Sequence, residues 1–490
     1  MSKHIVVVGS GFASLAAATT LADQGKTVTV LEKNSQAGGR ARSFVASGFT
    51  FDMGPSWYWM PDVFEAYFEK FGKKVSDYYQ LERLDPSYAV YFGKDDRVDI
   101  PANFDELKAL FESYEKGSSK GLEKFLKEAA YKYEVGMNDL VHKPSRSIFE
   151  FAQWRVISGV FRMQLFQSLS AHLKNYFSHE KLLKLMEFPV LFLGAKPQET
   201  PALYSLMNYA DIQLGTWYPK GGMHKIVEGM VALAEEKGVK FEFDCEVKGF
   251  TTEGGRVVAA ETTKGNFSAD AFISGADYHH TDKQILKAEH HNYSEEYWDK
   301  RKMAPSSLLF YLGIDKKLKN LLHHNLFFDE DFGLHAQEIY DNPQWPSKPL
   351  FYACVPSVTD DSVAPEGCEN LFLLMPVAPN LNDEEEVREK YYHLIMDRLE
   401  KLTGQKIREH VIYKRSYAHS DFISDYHAYK GNAYGLANTL TQTAILKPSI
   451  VNKKLKNLYY TGQLTTPGPG VPPSLISGQV VAKEILKKVI

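Results

Sequence analysis

"VVVGSGFASLAAATTLADQGKTVTVLEKN", residues 6–34, decides how this chain folds. His4 to Val8 is an uninterrupted, mostly β-branched run, the pattern of a strand buried on both faces of a parallel sheet. Gly9-Ser10-Gly11 then turns the chain. With no Cβ at Gly11, a pyrophosphate can approach the backbone, and the N–H groups that open the next helix point at it. Small residues predict that helix over Ser14 to Asp23, Gly25 stops it, and Lys26 to Leu31 returns as a second strand. Glu32 lies 23 positions after Gly9 (32 − 9), near the roughly 20-residue spacing of a carboxylate that binds a ribose hydroxyl. Its charge repels a 2′-phosphate, which disfavours NADP. Ser14 stands where a glycine or alanine is usual in this turn and is small enough to keep helix and strand close.

Composition narrows the class. At 490 residues the chain exceeds the usual limit of one core, so two or three lobes are expected. Its 57 basic and 61 acidic side chains leave a net charge of −4 without long like-charge blocks, which argues against nucleic acid as a partner. Cys245, Cys354 and Cys368 are far apart and form no C-x-x-C, so neither a disulfide framework nor a metal site is read from them, and a reducing cytoplasm is expected. No signal peptide is expected ahead of a strand that starts at His4, and no apolar run nears the ~20 residues that span a bilayer.

The residues after Glu32 separate the two common dinucleotides. Lys33 leads to Gly38-Gly39-Arg40, a second glycine pair with a cation, where a simple NAD domain would enter another helix. This E-K-x-x-x-x-G-G-R pattern resembles the extension of FAD proteins in the amine oxidase and carotenoid desaturase superfamily, whose arginine meets the cofactor phosphates. Gly48 to Gly54 alternates like a strand and ends in Gly54-Pro55-Ser56; the aromatics that follow, "WYWMPDVFEAYF", read as core or as the wall of a channel.

Further stretches extend the resemblance over the whole chain: "FDMGPSWYWMPDVF" (51–64), "TWYPKGGMHKIVEGM" (216–230), "SVAPEGCENLFLL" (362–374), "YHAYKGNAYG" (426–435) and "LYYTGQLTTPGPGVPPSLISGQVVAKEIL" (458–486). Together they resemble the bacterial phytoene desaturase family of carotenoid-modifying flavoenzymes. The resemblance implies that a helix over Lys225 to Lys237 and a strand over Gly238 to Phe243 return the chain to the cofactor domain. It also implies that the backbone at Val247 meets the adenine, and that "FISGAD" (272–277) closes this segment. A last strand, Leu458 to Thr461, is followed by Gly462 near the pyrophosphate and ribityl chain; the contact of Gln463 is left open. Val471 and Pro472 precede a helix expected near Ser474, whose N-terminus would favour negative charge on a reduced flavin. Gly54 and Pro55 complete the expected FAD contacts.

The fold class that follows is α/β: a Rossmann-like FAD-binding domain assembled from discontinuous segments (1–90, 215–290 and 430–490), a mixed α+β substrate lobe (291–429) and a helical subdomain (91–214). Within the helical part, "SIFEFAQWRVISGVFRMQLFQSLSAHLKNYF" (147–177) has apolar residues at helical spacing and suits either a core or a membrane surface. The expected setting is cytoplasmic, peripheral on the inner face of the cell membrane.

The expected chemistry is FAD-dependent desaturation of a C40 carotenoid, with phytoene converted toward lycopene as the leading expectation. An allylic CH2–CH2 bond offers no handle to an acid or base, so a flavin hydride acceptor suits it. No catalytic side chain is assigned, and the pairs His279-His280 and His323-His324 are expected at the surface. Oxygen or a membrane quinone is the expected electron acceptor. A 3,4-desaturase of a hydroxylated or monocyclic carotenoid would share every cofactor motif. Isomerases and amine oxidases are more distant alternatives, and a non-catalytic isoprenoid-binding protein of the same fold is a different class.

Overall fold

The computed structural model describes residues 2–147, 150, 164, 167–193 and 196–488. His4–Val8 is the middle strand of a five-stranded parallel sheet with the order Leu458–Tyr460, Ala271–Ser274, His4–Val8, Thr27–Leu31, Lys240–Glu242. Ile5, Val6 and Val7 are wholly buried, as a strand covered on both faces requires. Three distant stretches of chain therefore close one sheet. A three-stranded antiparallel sheet, Val247–Glu253, Arg256–Thr262 and Gly265–Ser268, continues from it.

On the sheet, the helix Phe12–Asp23 crosses the C-terminal helix Val471–Lys488. Gly478 makes the crossing possible: a Cβ there would lie 2.0 Å from the carbonyl oxygen of Ala13 and 2.9 Å from the nitrogen of Ala17. The C-terminal helix starts at Val471 rather than near Ser474, because prolines at its first turn lack only N–H groups that would have no intrahelical partner.

A seven-stranded sheet forms the second layer, in the order Val411–Tyr417, Ser306–Ile314, Glu369–Val377, Phe351–Cys354, His324–Phe327, Tyr88–Gly93, Asp96–Ile100. The alternation along Ser306–Ile314 sorts its two faces. Leu308, Phe310 and Leu312 pack with Tyr391, Ile395 and Leu399 of the helix Glu385–Thr403, whereas Leu309 and Tyr311 join the core shared with the cofactor sheet. The hairpin Tyr88–Gly93/Asp96–Ile100 belongs to this sheet through parallel pairing with His324–Phe327, so a boundary drawn at residue 90 runs through a hairpin. Helices such as Phe104–Tyr114 and Ser118–Val135 cover the flank.

Of the stretch 147–177, residues 148–149, 151–163 and 165–166 lie outside the described residues. Its described end forms the short helix Leu169–Leu173, in which His172 is buried. Among the described residues no helix is long and apolar enough to cross a membrane.

Candidate functional site

The helix Phe12–Asp23 begins at Gly11 with no side-chain cap, and a Cβ at Gly11 would meet nothing within 4 Å. The first-turn N–H groups have no intrahelical partner and the turn from Gly11 to Ser14 lines a cavity, the geometry that accepts an anionic group. Gly38-Gly39 folds back onto this turn: the Gly38 N–H donates to the Ser10 carbonyl (2.9 Å), and a Cβ at Gly39 would lie 3.5 Å from the Gly11 Cα. Gly38 has φ +114°, a conformation that side chains rarely adopt. Gly54 is pressed so close to the same loop that a Cβ would come within 2.5 Å of the Arg40 carbonyl oxygen. Pro55 follows it into the cavity wall.

Ser14 answers a question the sequence raises. Its Oγ has no hydrogen-bond partner among the described residues and fills the space that Gly275 leaves: a Cβ on Gly275 would lie 2.0 Å from it. The missing side chain has moved from the helix to the neighbouring strand end, and the close packing is kept. Gly275→Ala is thus expected to destabilise the protein by about 2 kcal/mol through overpacking, and Ser14→Ala to restore most of it in the double variant. Denaturant unfolding of the three variants checks this; additive losses would overturn it.

Glu32 is a brace as well as a candidate ribose ligand. One carboxylate oxygen accepts from the N–H (2.8 Å) and Oγ (2.5 Å) of Ser10, the other from the N–H (2.8 Å) and side-chain amide (3.0 Å) of Asn34. Lys33 turns away to the Ser424 carbonyl and His427 (3.4 Å). His427 also holds Glu246 (2.9 Å) and stacks on His280 with ring centroids 3.9 Å apart. Burial pulls the His280 imidazole down to about 4, so it is neutral at pH 7. Val247, 4% exposed, follows Glu246 into the same wall.

Arg40 supplies the clearest test of fit for a phosphate-bearing cofactor. Among the described residues its guanidinium reaches the Asn432 carbonyl (3.3 Å) and the Tyr426 ring (5.1 Å to its centroid), and its Nε has no hydrogen-bond partner. Burial lowers its affinity for protons, with Asp277 and Tyr426 working against that. A half-buried cation so poorly partnered fits an anionic group. Arg40→Ala is expected to weaken FAD binding about 10- to 100-fold, the worth of one charge-assisted hydrogen bond, measured by titrating apoprotein with FAD. Unchanged affinity would remove Arg40 from the site.

From the C-terminal segment, Gly462 donates its N–H to Ser477 (3.1 Å) and leaves open space where a side chain would stand. Val471 and Pro472, at the start of the last helix, line the cavity beside it, and Gln463 binds Asn432 (3.3 Å). Every position expected to touch FAD, from Gly9 to Pro472, lines one cavity of about 750 Å³. Residues that the sequence reading passed over line it too, among them Cys245, Glu246, Asp277, His280 and His427. The turn after Ala271–Ser274 was the available signal for Asp277 and His280.

The remainder of the cavity is formed by the second sheet. Leu309, Leu326, Phe328, Ile339, Leu350 and Leu374 give it an apolar length, with Trp57 and Trp59 opposite in sequence origin but in the same wall. It reaches the surface beside Gln198, Gly333 and Asp341, all exposed, where Lys196 pairs with Asp341 (2.8 Å). The expected surface position of His323-His324 is overturned: they are 3% and 0% exposed, because the strand beginning at His324 lies inside the sheet. His279 and His280 are half-buried, with His280 stacked on His427.

The family model for flavin containing amine oxidoreductases matches residues 12–486. The chain is 42% identical to a carotenoid 3,4-desaturase of Haloarcula japonica, covering 99% of both chains. It is 31% identical to a zeta-carotene-forming phytoene desaturase of Myxococcus xanthus, covering 99% of this chain and 94% of that one. An oxidoreductase structure from Methanosarcina mazei has the same fold, with a TM-score of 0.65 at 17% identity over 99% of this chain and 100% of that one. The chain belongs to the flavin-containing amine oxidoreductases and, within them, to the FAD-dependent carotenoid desaturases.

Proposed function

We propose that this enzyme desaturates the 3,4 bond of a hydroxylated or monocyclic C40 carotenoid, rather than phytoene, which the sequence alone put first. One observation carries the choice: an apolar cavity that opens beside Lys196, Asp341 and Gln198. A hydrocarbon substrate uses none of these groups, whereas a hydroxyl can exchange hydrogen bonds with them. The greater likeness to the 3,4-desaturase supports the same reading.

Bound FAD supplies a two-electron hydride acceptor. In this reading it is held by the helix start after Gly11, by Glu32, by Arg40 and by the turns at Gly38, Gly54 and Gly462. The apolar wall then has two tasks, to keep water from the reacting bond and to hold the chain extended. A lipid-borne substrate gains little from moving between two apolar surroundings, so hydrophobic burial cannot set its register. The polar mouth does, by anchoring the end group and fixing which CH2–CH2 bond lies at the cofactor. We place the enzyme peripherally on the inner face of the membrane, with oxygen or a quinone as the final acceptor.

The test is anaerobic incubation of FAD-loaded protein with liposomes carrying phytoene, a hydroxylated carotenoid or a monocyclic one, following flavin bleaching near roughly 450 nm and products by HPLC. Bleaching with one added double bond in the hydroxylated or monocyclic substrate is expected. Stepwise desaturation of phytoene would overturn the 3,4 assignment in favour of the earlier reaction. A folded protein that takes up no FAD and only binds the lipid would overturn both.

A further inference from the structure

His324 and Cys354 face each other directly across the antiparallel pair His324–Phe327/Phe351–Cys354, and His323 immediately precedes them. One nitrogen of each imidazole and the Cys354 sulfur all lie within 4.8 Å of one another, and all three side chains are buried. Both imidazoles are oriented in a particular way. The Tyr352 hydroxyl donates to Ser56 (3.0 Å), so its lone pair is left to receive the Nδ1–H of His324 (2.6 Å). His323 engages Thr359 through its own Nδ1 (2.9 Å). The Nε2 atoms of both rings have no hydrogen-bond partner among the described residues.

Two imidazole nitrogens without a partner in a protein core are costly unless something meets them. An outer hydrogen bond on Nδ1 with a free Nε2 is the arrangement that orients metal-binding histidines. A small cavity of about 20 Å³ adjoins His323 and Cys354 and is also lined by Asp52 and Tyr218. We propose that His323, His324 and Cys354 bind one divalent cation of the zinc class, with the carboxylate of Asp52 balancing its charge.

Two imidazoles and a thiolate are the donors such a borderline ion prefers, with bonds of about 2.0 to 2.3 Å and a fourth position left for water. Uptake is balanced by one proton: the Cys354 S–H bond breaks, the metal–sulfur bond forms and the proton leaves to solvent. The ion's two positive charges are then met by the thiolate and by Asp52, whose carboxylate already accepts from the N–H groups of Met223 (2.7 Å) and His224 (2.9 Å). The site would tie two neighbouring strands together behind Trp57, which stacks on His324 at 4.0 Å and lines the substrate cavity. Its role is structural, holding that wall, and it is independent of which carotenoid is the substrate.

The test uses the full-length, FAD-loaded protein purified without chelator. Metal content by mass spectrometry is expected to give about one zinc per chain. After chelation, added Co²⁺ should restore one equivalent and give the thiolate-to-cobalt charge-transfer band in the difference spectrum. Cys354→Ser should lower the retained metal about tenfold and remove that band. A flavin-loaded wild type that carries no metal and takes up no cobalt overturns the proposal, as does undiminished binding by folded Cys354→Ser. If that variant fails to fold, the stoichiometry and cobalt spectrum of the wild type decide alone.

Discussion

Alanine at Gly478 is expected to cost the protein at least about 3 kcal/mol and most of its flavin, the upper range for overpacking a tight interface. The added carbon would stand 2.0 Å from the Ala13 oxygen and 2.8 Å from the Ala13 carbonyl carbon, which are backbone atoms of a buried helix and cannot rotate away. The two helices must therefore separate. Both begin at the cavity, one after Gly11 and the other at Val471, so parting them moves two of its walls at once. Thermal unfolding should show a Tm lower by about 3 °C or more, and the absorbance ratio of flavin to protein should fall. A variant with full flavin and unchanged Tm would show that the helices are less tightly seated than these distances state.

Mild acid is expected to have an effect of similar size. His172 and His335 are 1% and 3% exposed, and burial pulls each down to about 4; Lys132 adds to this at His172. Both imidazoles are neutral in the folded protein, whereas the unfolded chain takes up their protons near pH 6.5. Their stabilising contribution is thus complete above pH 6.5 and is lost as pH falls toward 4, to a total of about 3 kcal/mol each. The structural cause is specific. At His335 one nitrogen accepts from the Leu350 N–H (3.1 Å) while the other meets the Pro376 carbonyl (3.0 Å), so a second ring proton would break the first bond. At His172 it would confront the Lys132 ammonium, 3.5 Å away. Urea unfolding should show lower stability at pH 5 than at pH 7, and His335→Gln should lessen that loss by about 2 kcal/mol. A flat profile between these pH values would refute the assignment.

The parts of the site that could be read in advance are those whose chemistry is local. Glycine turns next to strands, an acidic residue at a set spacing and a proline-rich helix start each declare themselves within a few positions, and the residues read from them, Gly9, Glu32 and Val471 among them, line one cavity. What stayed hidden depends on partners far along the chain. Ser14 is explained only by Gly275, 261 positions later (275 − 14). The hairpin at 88–100 joined the second sheet because its partner strand begins at His324. An apolar neighbourhood for His323-His324 cannot be seen in two adjacent histidines; it is made by Trp57, Tyr218 and Tyr352, which arrive from other elements.

The strand order of the cofactor sheet has a consequence for how the enzyme is made. Leu458–Tyr460 pairs with Ala271–Ser274, which pairs with His4–Val8, so the outer edge of Ala271–Ser274 waits for a strand made much later. Contacts of such long sequence separation form slowly, and until Leu458–Tyr460 arrives the apolar strand Ala271–Ser274 has an unpaired edge. Flavin loading must then wait until the cavity wall from Gly462 to Ser474 has been made. A premature stop anywhere before residue 458 would leave a nascent protein dependent on chaperones and unable to hold its cofactor, however much of the rest had folded.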